Sequence, residues 1–211
     1  MPYADFDIAK VEKTFGMTTV MQDLFADVKP LNSPQWLIDH YARIEGLPLT
    51  SEKARGELFV SPMLVAVRES EGNRLGLHSG VRFDVDPSAG LIGECDFIVG
   101  LVESRTVVRA PVITMVEAEK ADLDTGVGQC MAQMVAAQRF NRSENRDNPV
   151  YGCITNGLEW QFLRLVDTTF TYDRFTRQLS GLPLLLGIFR SIIAEGRAAM
   201  AGYPSGSSRS V

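Results

Sequence analysis

Three acidic residues occur inside or at the end of apolar stretches that are typical of buried β-strands. Asp96 lies within residues 93–99 (GECDFIV), and Glu117 and Glu119 end the apolar run at residues 111–119. Because side chains alternate along a strand, Glu117 and Glu119 share one face while Ala118 faces the other way. Ionised carboxylates in such surroundings are costly unless they bind a cation or accept hydrogen bonds.

Mg²⁺ and Mn²⁺ prefer hard oxygen ligands held by rigid elements, and both ions support phosphodiester cleavage. The ion neutralises the phosphate, lowers the pKa of a bound water and stabilises the leaving oxygen. We therefore predict a metal site formed by Asp96, Glu117 and Glu119. The alternative for Asp96 and Glu117 is burial beside an arginine or backbone donors, and for Glu119 it is a solvated strand end.

The elements that must position these residues alternate between helix and strand. Helices are predicted at residues 7–15, from Ser33-Pro34 to about residue 45, at 52–69 with a kink or break at Pro62, from 122 or 124 to 140, and at 184–201. Strands are predicted at residues 80–86, 91–102, 111–119, 151–155, 160–166 and 168–172, the first two forming a hairpin. This order predicts an α/β fold in which helices flank a mixed sheet.

The order and spacing of these features resemble the PD-(D/E)xK superfamily with its restriction-endonuclease-like fold. The features are a helix with Glu57, a hairpin with Asp96, a strand ending in Glu117-Ala118-Glu119, and a helix bearing Gln129. Residues 51–57, 83–87 and 116–130 are also similar to a group of uncharacterised bacterial proteins of this type. That similarity covers about residues 10–190, whereas the superfamily core covers about residues 51–166.

The resemblance implies a core of the order helix, strand, strand, strand, helix, strand within a domain at residues 51–203. Residues 1–50 would form an N-terminal helical extension packed on that core. Asp96 and Glu117 would bind the metal, Glu57 would add a carboxylate directly or through water, and Gln129 would orient the site. The alternative for Glu57 is an i,i+4 salt bridge with Lys53, and for Gln129 it is a solvent-facing position near a helix start.

One residue departs from the family pattern, which usually has lysine where this chain has Glu119. That lysine assists the attacking water and the phosphate, so Glu119 would instead bind a second metal ion. Lys120 points to the other face of the strand unless a bulge redirects it. Lys53 lies one helical turn before Glu57 on the same face, and we expect it or Lys120 to be the replacement charge.

Composition and charge limit the function classes. The 211 residues carry a formal net charge of −5, which argues against a sequence-blind nucleic-acid coat protein but not against an enzyme acting on nucleic acid.

The first residues lack a leader-like pattern and no apolar run approaches the roughly 18–20 residues of a membrane span. We expect a cytoplasmic protein without a membrane partner, three buried reduced cysteines and a disordered tail at residues 204–211. Homodimer formation is left open.

The leading interpretation is a nuclease that hydrolyses phosphodiester bonds in DNA or RNA with Mg²⁺ or Mn²⁺. One alternative is a catalytically inactive restriction-fold module that binds a partner or nucleic acid, and another is a hydrolase of a small phosphodiester. A basic cleft beside the carboxylates would favour the nuclease. An acidic or apolar surround without a cleft would favour the binding module, and a small closed pocket would favour the third function.

Overall fold

The computed structural model describes residues 2–48, 50–119 and 122–201, so the predicted tail at residues 204–211 lies outside the described residues. Eight strands form one mixed sheet, with helices on both faces. The strands are β1 (Thr18–Gln22), β2 (Gly76–Arg82), β3 (Glu94–Gly100), β4 (Val112–Ala118), β5 (Val150–Thr155), β6 (Glu159–Val166), β7 (Thr169–Asp173) and β8 (Arg177–Gln178). The α-helices are α1 (Ile8–Phe15), α2 (Gln35–Ile44), α3 (Glu52–Arg55), α4 (Ser61–Ser70), α5 (Val127–Ser143) and α6 (Leu182–Ala201).

The sheet has the strand order β1-β7-β6-β5-β4-β3-β2, and β8 pairs with β6. The β1–β7 and β4–β5 pairs are parallel, and the other pairs are antiparallel. The sequence prediction of an α/β fold with a mixed sheet is therefore confirmed. The predicted hairpin is also present as β2 and β3, and its register places Arg82 opposite Glu94.

β4 lies in the interior of the sheet because its sequence is short, apolar and rich in β-branched residues. All seven of its residues are buried. On one face, Val116 joins an apolar core that α4 and α6 cover. On the other face, Met115 joins a second core that α1 and α5 cover. The strand that carries Glu117 is thus enclosed by helices on both sides.

The N-terminal region contains the predicted helices and one strand that the sequence did not indicate. α1 starts after Asp7, whose side chain accepts a hydrogen bond of 2.7 Å from the backbone N–H of Lys10. The start of α2 differs from the prediction, because Pro34 rather than Ser33 occupies the N-cap. β1 adds an edge strand parallel to β7, so residues 1–50 contribute to the sheet itself as well as packing on it.

The helix predicted at residues 52–69 is split by a π-helical turn at Gly56–Val60, just before Pro62. Proline has no N–H group, so the carbonyl of Leu58 loses the donor that an α-helix would supply. His40 Nε2 donates to that carbonyl at 2.8 Å, and the hydroxyl of Tyr41 donates to the carbonyl of Phe59, also at 2.8 Å. α2 therefore satisfies the backbone groups exposed by the break.

α6 belongs to a helical segment, Leu179–Ala201, that is long and apolar enough to cross a membrane by length and composition alone. Half of its most apolar 18-residue window is buried in this structure. Leu185, Ile188 and Ile192 lie in the core between α6 and the sheet. The expectation of no membrane partner stays a prediction.

We predict that Tyr41→Phe destabilises the chain by about 1–2 kcal/mol, because a largely buried carbonyl at the helix break loses its donor while the ring stays in place. Urea unfolding measures this change. Tyr172→Phe is the matched control, since the Tyr172 hydroxyl makes no hydrogen bond to any residue that the structure describes. Equal stability losses in the two variants would contradict a role for Tyr41 in supporting the break.

Candidate metal centre

Asp96 lies where the antiparallel strands β3 and β4 separate. The last paired residues are Phe97 and Val116, so Asp96 and Glu117 are the next residues on each strand. There the Oδ2 atom of Asp96 accepts a hydrogen bond of 2.8 Å from the backbone N–H of Ala118. A side-chain carboxylate thus replaces the strand carbonyl that would continue the ladder, which fixes Asp96 against the end of β4.

Glu117 is a nearly buried carboxylate, with 6% of its surface exposed, and it faces α5. Gln133 Nε2 donates to its Oε2 atom at 2.8 Å, and Gln129 Nε2 donates to its Oε1 atom. The predicted contact of Gln129 with the site is therefore present. Gln133 is a second amide that the sequence prediction missed, although its i,i+4 spacing from Gln129 in an apolar helix was the available signal.

α5 can reach Glu117 because glycine in the neighbouring strand lets the helix approach the sheet. A Cβ atom on Gly152 of β5 would lie 2.4 Å from the Met134 sulfur and 2.8 Å from the Cys130 sulfur. The three cysteines are free and buried, as predicted. Close packing of α5 on β5 therefore sets the distance at which its two glutamines meet the β4 carboxylate.

Glu119 follows β4 and faces the start of α5. Its backbone N–H donates to the carbonyl of Thr155 at 2.7 Å, and its Oε2 atom accepts a bond of 3.1 Å from the Thr125 hydroxyl. A Cβ atom on Gly126 would lie 2.2 Å from the Glu119 Oε1 atom. The close packing at Gly126 is thus a contact between the helix start and this carboxylate.

Glu52 is a helical carboxylate that interacts with the cluster and that the sequence analysis did not single out. Glu52 repels Asp96, Glu117 and Glu119 strongly enough to contribute to their raised pKa values. Glu57 forms the i,i+4 ion pair with Lys53 at 3.9 Å, and both side chains are exposed. Glu52 lies on α3 and Glu57 on the π turn that follows it, and both line the cleft beside Asp96.

The pKa values of Asp96, Glu117 and Glu119 are all raised above those of ordinary carboxyl groups. Burial is the largest cause of the raised pKa of Glu117, followed by repulsion from Asp96, while the bond from Gln133 opposes the rise. Burial also leads the increases at Asp96 and Glu119, with repulsion from Glu52 adding to both. A bound cation would offset this repulsion and the cost of burial.

An open cleft of about 420 Å³ lies beside Asp96. Its walls come from α3 and the π turn, from the hairpin of β2 and β3, and from Ala118 at the end of β4. Among the described residues that line it, four are acidic and one is basic: Glu52, Glu57, Glu94, Asp96 and Lys53. Lys53 thus borders the predicted site, although its ion-pair partner is Glu57.

The donor set suits Mg²⁺ or Mn²⁺, because each carboxylate keeps acceptor capacity after its protein hydrogen bonds are counted. The residues that would hold an ion are Asp96, Glu117 and Glu119, with Glu52 beside them. Within residues 2–48, 50–119 and 122–201, however, no group of three or more His, Cys, Asp or Glu side chains is arranged so that it could hold a metal ion. Mg²⁺ is usually held by one or two carboxylates together with waters or substrate oxygens. Lys120, also predicted to be catalytic, lies outside the described residues.

The side chain of Gln133 lowers the stability of the fold in one respect, because one of its polar atoms is buried without a hydrogen bond to any described residue. Its side chain has no exposed surface, and its Oε1 atom has no hydrogen-bond partner among the residues that the structure describes. An unsatisfied buried acceptor costs about 1–3 kcal/mol. Apolar residues surround it in α5, so packing alone would favour another apolar side chain at this position.

Comparisons of the chain with protein-family models, with curated proteins and with solved structures found no match.

We predict that the metal-free chain loses stability as the pH rises above 4.5, the ordinary pKa of a glutamate side chain. The pKa of Glu117 is higher in the folded chain than in the unfolded chain, so the folded chain binds this proton more tightly. The stability that Glu117 adds by binding the proton is therefore present at low pH and is lost as the pH rises through the raised pKa. Urea unfolding in EDTA across this range measures the slope. Glu117→Gln should flatten the slope and raise stability at the alkaline end, whereas the exposed Glu144→Gln should leave the slope unchanged. An identical slope in Glu117→Gln would contradict the assignment.

We predict that Gly126→Ala lowers Mn²⁺ affinity about 10–100-fold, the range typical of losing a group that orients a ligand, because the new methyl group displaces the Glu119 carboxylate. Gly126 has φ −84°, so alanine fits its backbone. Gly181→Ala is the matched control, since its Cβ atom would meet nothing within 4 Å. Calorimetric titration with Mn²⁺ checks the result, and unchanged affinity in Gly126→Ala would remove Glu119 from the centre.

Proposed function

We propose that the chain is a metal-dependent nuclease with a restriction-endonuclease-like core, which hydrolyses phosphodiester bonds in DNA or RNA. The observation that carries the proposal is the nearly buried Glu117, which shares the end of β4 with Asp96, Glu119 and Glu52. Three separate elements bring these carboxylates to one place. Such a concentration of negative charge is hard to explain by stability, because each group raises the pKa of its neighbours.

A bound Mg²⁺ or Mn²⁺ would supply the electrostatic stabilisation and the activated water that phosphodiester hydrolysis needs. The chain's own contribution would be to orient its ligands. The backbone N–H of Ala118 holds Asp96, the amides of Gln129 and Gln133 hold Glu117, and the Thr125 hydroxyl holds Glu119. Of these residues, Asp96 and Ala118 also line the open cleft.

The acidic lining of the cleft bears on the choice of substrate. A phosphate chain would be repelled by Glu52, Glu94 and Asp96 unless cations were bound first. We therefore expect nucleic-acid binding to depend on divalent metal as strongly as cleavage does. The openness of the cleft favours a polymeric substrate over the small closed pocket expected for a hydrolase of a small phosphodiester.

The second candidate is the catalytically inactive restriction-fold module. Its supporting observation is the same acidic lining, in which Lys53 is the one positively charged side chain among the described cleft residues. The two candidates differ in their response to metal, because a module without chemistry would not cleave nucleic acid at any metal concentration.

The test is cleavage of single- and double-stranded DNA and RNA with Mg²⁺ or Mn²⁺. We predict metal-dependent hydrolysis by the wild type. Asp96→Asn should lower the rate by more than the roughly 100-fold typical of losing an outer-shell partner, because it removes a ligand charge. Glu52→Gln should also reduce the rate.

Glu144→Gln is the control for Glu52→Gln, since it changes an exposed glutamate that does not line the cleft beside Asp96. It should retain wild-type cleavage. An inactive wild type that still binds Mn²⁺ would favour the binding module. Cleavage that persists unchanged in Asp96→Asn would reject the proposed centre.

A further inference from the structure

The inner face of α5 presents two amides to a single carboxylate. Gln129 and Gln133 are one helical turn apart, and each donates to a different oxygen of Glu117. Gln133 is fully buried, whereas Gln129 is partly exposed. The two bonds fix both the position and the plane of the Glu117 carboxylate.

The buried amide is not explained by the stability of α5. Its Oε1 atom lacks a partner among the described residues, so the side chain satisfies its donor to Glu117 but not its acceptor. Its helical neighbours Ala132 and Met134 are apolar and buried. An apolar residue at position 133 would remove the unsatisfied acceptor, yet it would also remove the donor that holds Glu117.

We propose that Gln133 is a positioning residue for the metal centre, holding the Glu117 carboxylate in the orientation that binds a divalent cation. This inference rests on the proposed function, because it assumes that Glu117 is a metal ligand. Gln133 acts through Glu117 and contacts neither metal nor substrate. Groups that orient metal ligands in this way commonly set metal affinity, because a preoriented ligand loses less freedom on binding.

Gln133→Met tests the role, because it removes both amide atoms and keeps a long unbranched side chain. Calorimetric titration of the full chain with Mn²⁺ should show affinity about 10–100-fold weaker than wild type. In the cleavage assay, the Mn²⁺ concentration that gives half-maximal rate should rise by a similar factor. The rate at saturating Mn²⁺ should stay close to wild type, because the ligand itself is retained.

Gln138→Met is the matched control. Gln138 is also a buried glutamine of α5, with 4% of its surface exposed, and its Nε2 atom donates to the carbonyl of Asp167 at 3.0 Å. Losing that bond should lower stability without changing Mn²⁺ affinity by more than about twofold, since its partner is not a carboxylate of the centre. Circular dichroism confirms that each variant is folded.

A second variant keeps the test decisive if Gln133→Met does not fold. Gln133→Asn retains a buried amide but withdraws it by one methylene from Glu117, so it should weaken Mn²⁺ binding as well. Wild-type affinity in either folded variant would overturn the role of Gln133 and leave the proposed nuclease standing. A wild type that does not bind Mn²⁺ would overturn both proposals.

Discussion

The burial of Glu117 at the end of β4 is the constraint on which the rest of the centre depends. A carboxylate with so little exposed surface must be compensated by hydrogen bonds, a proton or a cation. α5 supplies the hydrogen bonds through Gln129 and Gln133, and it can do so because Gly152 lets it lie close to the sheet. The close packing of α5 on the sheet therefore determines whether its glutamines can reach the carboxylate at the end of β4.

Much of the fold could be predicted because its central elements carry strong local patterns. β4 was predicted from its β-branched apolar run, and a helix was predicted at residues 7–15, where the structure has α1 with Asp7 as its N-cap. β1 gave no such pattern, since all five of its residues are exposed and its partner strand β7 lies far along the chain. A strand such as β1, which pairs with a partner far along the chain, forms because of that tertiary pairing rather than because of its local sequence.

The residues of the candidate centre were predicted only where the alternation of a strand determines which way a side chain points. Asp96, Glu117 and Glu119 follow from their places in or beside apolar strands, but the choice between Glu52 and Glu57 depends on how a short helix is rotated against the sheet. The π turn before Pro62 changes that rotation, and residue propensities do not encode it. The contact of Gln133 was missed because its i,i+4 spacing from Gln129 indicates a shared partner only once Glu117 is known to face α5.

The departure at Glu119 has a local physical reason. The residue meets the start of α5, where backbone N–H groups give the helix end a partial positive charge. A glutamate there accepts a bond from the Thr125 hydroxyl and lies against Gly126. A lysine at the same position would be repelled by the partial positive charge of the helix start. Its ammonium group, which has no acceptor, could not accept a hydrogen bond from the Thr125 hydroxyl. The start of α5 thus favours a carboxylate where the resembling family has an amine. Under the proposed function, chemistry at this centre would therefore depend on bound cations rather than on a lysine at this position.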